Sequence, residues 1–120
     1  MALYKTLPEA KREPLFAFMR ELQADSDFYM AKGRETPGTI PVGSALFDYV
    51  IKGASRLELL MAIGRADTLE AVEAQAVPAL RLWVTKHNER RRDKDWQRWS
   101  EHGQDDLRFL VARLRKILES

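Results

Sequence analysis

The side chains best suited to chemistry in this sequence are few and poorly spaced for it. The two histidines, His87 and His102, stand fifteen residues apart, and neither has a partner at the spacing a metal site needs. Neither His-Glu-x-x-His nor Glu-x-x-His occurs, so neither a zinc hydrolase helix nor a carboxylate di-iron bundle is supported. Asp25-Ser26-Asp27 pairs two carboxylates, but Phe28 and Tyr29 occupy the space where a calcium loop needs a further ligand and a glycine. Gly43-Ser44-Ala45 lacks the second glycine of a nucleophile elbow, and Ser44 is expected to cap a helix instead. The glycines are too scattered for a phosphate-binding loop. Cysteine is absent, which removes thiol nucleophiles, disulfides and zinc–thiolate sites together. No catalytic residue, metal ligand or cofactor is assigned, and the chain is expected not to be an enzyme.

What remains is binding chemistry, concentrated between Lys86 and Trp99. Six basic side chains, Lys86, Arg90, Arg91, Arg92, Lys94 and Arg98, stand there against three acidic ones, Glu89, Asp93 and Asp95. Trp96 and Trp99 share the segment, one helical turn apart. Trp and Arg are the residues most enriched at binding hot spots. Arginines beside aromatics also suit a phosphate backbone with stacked bases. The interleaved carboxylates would repel phosphate or pair with arginines on the same helix, and the local excess of charge is small for a nucleic-acid arm. The bland alternative packs both tryptophans over the end of a helical bundle with the arginines solvated around them. We assign Lys86, Arg90, Arg91, Arg92, Lys94, Trp96, Arg98 and Trp99 to a partner-binding surface. The basic end of the last helix, Arg113, Arg115 and Lys116, extends it, and residues 33–43 are a second candidate.

The elements that must position these residues read as helices. Thr6-Leu7-Pro8-Glu9 has the form of a capping box, with Pro14 breaking the helix it starts and a restart from there. Leu15, Phe18, Met19, Leu22 and Tyr29 then line one face, ending at Gly33 as C-cap. Residues 33–43, rich in Gly and Pro, are expected to be the one long loop. Ser44 opens a helix carrying Leu46, Phe47, Val50 and Ile51 that stops at Gly53. Ser55-Arg56-Leu57-Glu58 is a second box, leading an apolar face of Leu57, Leu60, Met61 and Gly64. Asp67-Thr68-Leu69-Glu70 is a third, opening a helix of Leu69, Val72, Ala76, Val77, Leu80, Trp83 and Val84 that passes through Pro78. Beyond His87 its face turns charged, so it is expected to stop near Asp93 or to project past the core. The last helix starts near Asp105 and Asp106 and carries Leu107, Leu110, Val111, Leu114, Ile117 and Leu118. Residues 55–78 superficially suit a helix-turn-helix, but Glu70 and Glu73 stand where a recognition helix needs base-reading side chains.

The reading is a single all-α domain spanning 1–120, a compact bundle of five to six helices. Its 45% hydrophobic residues can build a core and its 32% charged residues keep the outside wet. Net charge is +2, and all of the excess lies in residues 61–120. No apolar run, that of Leu59 to Ile63 included, approaches the ~20 residues a membrane span needs. With no secretory apolar region in the first dozen residues, a cytoplasmic location and no membrane partner are expected. The function expected is a small helical protein that binds a macromolecular partner, a protein or a ribonucleoprotein. An accessory or inhibitor protein of a bacterial mobile element fits such a design. The alternative is a nucleic-acid-binding regulator using the Lys86–Trp99 segment. A third reading, a ligand-binding bundle, requires a pocket lined by Phe16, Phe18, Phe47 and Trp83. A homodimer is expected to use the apolar stripe of the last helix.

Overall fold

The computed structural model describes the backbone of residues 2–34, 45–91 and 96–119, and the side chains of residues 3, 5–32, 49–86 and 100–119. Among these residues the structure is helical, with no strand. A one-turn α1 (Ala2–Thr6) precedes four long helices: α2 (Glu9–Arg34), α3 (Ala45–Arg65), α4 (Leu69–Arg91) and α5 (Trp96–Glu119). Helix α3 packs against every other helix, and α2 and α4 flank the α3–α5 pair. A helix of 26 residues is about 39 Å long, which accounts for the elongated 46 × 25 × 20 Å envelope.

The all-α class stands, but four long helices replace the expected five to six because two predicted breaks are absent. Gly53, expected as a helix stop, and Ser55, expected as the next N-cap, both lie inside α3. Ser26 Oγ donates to the Gly53 carbonyl at 3.0 Å, and a Cβ on Gly53 would lie 3.0 Å from Met30 Cγ. Gly53 is therefore the point where α2 and α3 approach, not a terminus. The buried Ser55 hydroxyl lies 2.9 Å from the Ile51 carbonyl, one turn back, and 3.3 Å from that of Gly103 on α5. Bonded inside its own helix, it is not available as a cap.

Pro14 likewise lies inside α2. Its ring is at an exposed position near the helix start, and the buried Leu15, Phe18 and Leu22 hold the helix in register across it. The predicted cap at Thr6 is also overturned. Thr6 ends α1, and its Oγ1 donates to the Leu3 carbonyl at 2.9 Å. The α4 start is correct with its cap one residue later than the box implied. The Ala71 amide donates to Thr68 Oγ1 at 3.1 Å and the Val72 amide to the Thr68 carbonyl at 3.0 Å, which makes Thr68 the N-cap. Pro78 lies within α4, as expected. Gly33 and Arg34 are the last residues of α2 rather than its cap and the start of a loop; the rest of the 33–43 segment, like Ser44, lies outside the described residues.

The core follows the predicted faces of α2, α4 and α5, with Leu15, Phe18 and Leu22, then Val72, Leu80 and Val84, then Leu107, Leu110 and Leu114 all fully buried. Two predictions fail in an instructive way. Helix α5 begins at Trp96, so Asp105 and Asp106 lie in its middle, not at its start. Its first turns bury Ser100, Gly103 and Gln104 at the same spacing that Leu107, Leu110 and Leu114 continue. A hydrophobic pattern cannot see a face built from small and polar residues.

In α3 the predicted apolar face of Leu57, Leu60, Met61 and Gly64 is only partly inward: Leu60 packs against the core, while Leu57, Met61 and Gly64 are exposed. Leu57 and Met61 are 37% and 38% exposed, while Leu59, Ala62 and Ile63 are buried. Residues 59–63 are apolar all round, so the neighbouring helices decided which side to cover.

Candidate functional site

Of the eight residues assigned to a partner-binding surface, Lys86 alone has a described side chain. It is exposed on α4. The backbone of α4 continues to Arg91 and that of α5 starts at Trp96, so Arg90, Arg91, Trp96, Arg98 and Trp99 lie on helix ends. Their side chains, and all of Arg92 and Lys94, lie outside the described residues. The last described core residue of α4 is Val84, so α4 runs seven residues, about 10 Å, beyond it.

Lys86 stands at the mouth of an open groove of about 220 Å³ that it lines together with Glu58, Ala79, Leu82 and Trp83. Glu58 comes from α3 and the other four from α4, so the groove follows the seam between these helices. Leu82 is 55% exposed and Trp83 half-buried. Leu57 and Met61, the outward-facing apolar residues of α3, flank Glu58 in sequence. The groove is smaller than the roughly 300–1,000 Å³ typical of small-molecule sites. Phe16 and Phe18 take no part in it, and Phe18 is buried in the core under the Arg113 guanidinium, 5.2 Å from its ring centroid. The predicted ligand pocket is thus not assembled at Phe18 and Trp83; Phe47 lies outside the described side chains.

The electrostatics of the groove are those of a carboxylate at an apolar margin. Burial pushes the Glu58 carboxyl above its ordinary value, and the positive charge of Arg65 opposes that shift without cancelling it.

The basic end of α5 is partly committed elsewhere. Arg113 Nη2 donates to Glu21 Oε2 at 2.8 Å, and Arg115 pairs with Glu119 at 3.5 Å along the same helix. The stripe of α5 once available to a twin is buried in the monomer at Leu107, Leu110, Val111 and Leu114. At these positions the stripe is covered by the chain's own helices, so it offers a twin no exposed face in the monomer.

A second polar cluster escaped sequence reading because its members are far apart in the chain. Arg56 Nη1 donates to Asp106 Oδ2 at 2.9 Å and to the Lys52 carbonyl at 3.1 Å. Its guanidinium carbon lies 4.9 Å from the centroid of Tyr29, which stacks on Tyr49 at 5.8 Å. Asp25 Oδ2 is 3.9 Å from Arg56 Nε, too far for a hydrogen bond, and that nitrogen is buried without an acceptor. The cluster ties α2, α3 and α5 together. Asp25-Ser26-Asp27 is dispersed by it: Asp25 turns towards Arg56, Ser26 bonds Gly53, and Asp27 accepts from Gln23 at 3.0 Å. Among the described residues no group of acidic or histidine side chains could hold a metal ion, and no helix is long and apolar enough to cross a membrane.

Comparison with protein-family models, with curated proteins and with solved structures finds no match to this chain.

Proposed function

We propose that this chain is a non-catalytic helical contact module that binds a protein or ribonucleoprotein partner through the far end of α4 and the start of α5. The observation that supports it best is the root of that segment. There Leu82 and Lys86 are exposed beside Trp83 on the seam with α3, the helix whose Leu57 and Met61 are left exposed. Apolar side chains rimmed by charge are the composition of a contact surface. The remaining residues of the proposed surface are Arg90, Arg91, Arg92, Lys94, Trp96, Arg98 and Trp99. A cytoplasmic accessory or inhibitor protein of a bacterial mobile element is the setting such a module suits. The second reading, a nucleic-acid-binding regulator, draws on the six basic side chains of the same segment.

Salt separates the two. Phosphate contacts release counterions, so affinity falls steeply as salt rises, whereas an apolar interface responds little. Capture from native extract at low and high salt, with and without nuclease, is expected to retain one protein under all conditions and to lose it with Trp96→Ala/Trp99→Ala. Nucleic acid that washes off with salt would transfer the case to the regulator. If the double variant unfolds, the tryptophans belong to the core and the proposed surface is lost.

A further inference from the structure

The groove carries a more specific reading, which rests on its being a contact surface at all. It presents Glu58 and Lys86 across an apolar floor, and although the charge of Arg65 reaches Glu58, neither Glu58 nor Lys86 forms an ion pair within 4 Å with another described residue. We propose that the α3–α4 groove docks a second copy of this chain in a two-fold pair, with Glu58 of each copy meeting Lys86 of the other.

A two-fold interface places the same patch on both sides, so every contact is made twice with the partners exchanged. A patch bearing a single sign of charge repels its own image. A patch with one of each, on opposite helices of one seam, is complementary to itself. Rotation about an axis through the groove brings the two carboxylates and two ammonium groups into alternation. The outward Leu57, Met61 and Leu82 of each copy are the apolar surface such a contact would cover. These residues supply the driving force and the crossed charges set the register, the usual division of labour at interfaces. Burial has already raised the proton affinity of Glu58, and a facing ammonium group relieves that cost. A two-fold pair carries every surface outside the groove twice, which makes the module bivalent toward its partner.

Sedimentation velocity of the full chain, from about 1 μM to about 1 mM, tests this. The wild type is expected to double in mass as concentration rises, and Leu82→Asp to stay monomeric with an unchanged helical spectrum. Glu58→Lys and Lys86→Glu are each expected to weaken the dimer by about tenfold or more, since each places like charges together. Mixed in equal amounts, they should form a heterodimer in which both crossed pairs are attractive. That recovery also shows that both variants are folded. A wild type monomeric at every concentration overturns the proposal, as does unaltered dimerisation of either charge variant or failure of the mixture to recover. If the chain is monomeric yet Leu82→Asp still releases a protein partner, the dimer fails and the contact surface stands. If the chain is monomeric and neither Leu82→Asp nor Trp96→Ala/Trp99→Ala releases a partner, both fail.

Discussion

Arg56 shows how much one side chain can be asked to do in a bundle of this size. It is 11% exposed and its partner Asp106 is 16% exposed, so the pair is nearly dry and removal of either member strands a charge. Asp106→Ala is expected to cost about 3 kcal/mol in urea unfolding, with Asp106→Asn losing less because it can still accept from Nη1. The pair was invisible in the sequence, where Arg56 belonged to a supposed cap and Asp106 to a supposed helix start; fifty residues separate them. Two other carboxylates carry opposite pH signatures. The Arg113 hydrogen bond holds Glu21 below its ordinary value, so its contribution to stability is present above the unfolded-state pKa and is lost as pH falls through the lower folded value. Glu58 is raised by burial, so the folded state binds its proton more tightly and the cost of Glu58 grows as pH rises through the raised value. In denaturation measured on the monomer, Glu21→Gln should lower stability at neutral pH and flatten the acid limb. Glu58→Gln should raise stability at neutral pH and make little difference in acid.

At the scale of the helix, the two glycines inside α3 and the one inside α5 are not equivalent. A Cβ on Gly103 would meet Ile51 Cγ2 at 2.9 Å and Leu80 Cδ2 at 3.3 Å, whereas one on Gly64 meets nothing within 4 Å. Gly64→Ala should therefore stabilise by up to about 1 kcal/mol, the helix-propensity gain. Gly103→Ala should destabilise by about 1–3 kcal/mol, because overpacking outweighs the same gain. Thermal unfolding of the two variants side by side decides it. The contrast explains the missed boundaries. Gly53 and Gly103 sit where helices converge, and a glycine demanded by close approach reads in a sequence like one that ends a helix. Ser100 and Gln104 misled in the same way: Gln104 Nε2 donates to Ser100 Oγ at 3.1 Å and Arg81 Nη2 to Gln104 Oε1 at 3.3 Å. Their polarity is satisfied inside the bundle, so they are buried without being apolar.

For the whole molecule, core and surface are separable by experiment. Leu114, fully buried, should cost about 2–5 kcal/mol when cut to Ala. Leu82→Asp, at an exposed position, should leave stability within about 0.5 kcal/mol and alter association alone. A chemical-denaturation series on both would show whether α5 is core and the α3–α4 seam surface. Residue patterning alone is enough for the all-α class, the core faces of α2 and α4 and the leucine stripe of α5, because hydrophobic periodicity is a local property of each helix. It also singles out the basic, tryptophan-bearing segment as the surface we propose for a partner. It takes the packing of the helices against one another to make Ser55 a buried donor and Gly53 a helix crossing, which joins two predicted helices into one α3. Only that packing shows that the stripe of α5 is consumed within the monomer and that the face of Leu57 and Met61 is left over. Those outcomes depend on which neighbours cover an element that is apolar all round, and that competition is settled between helices distant in the chain.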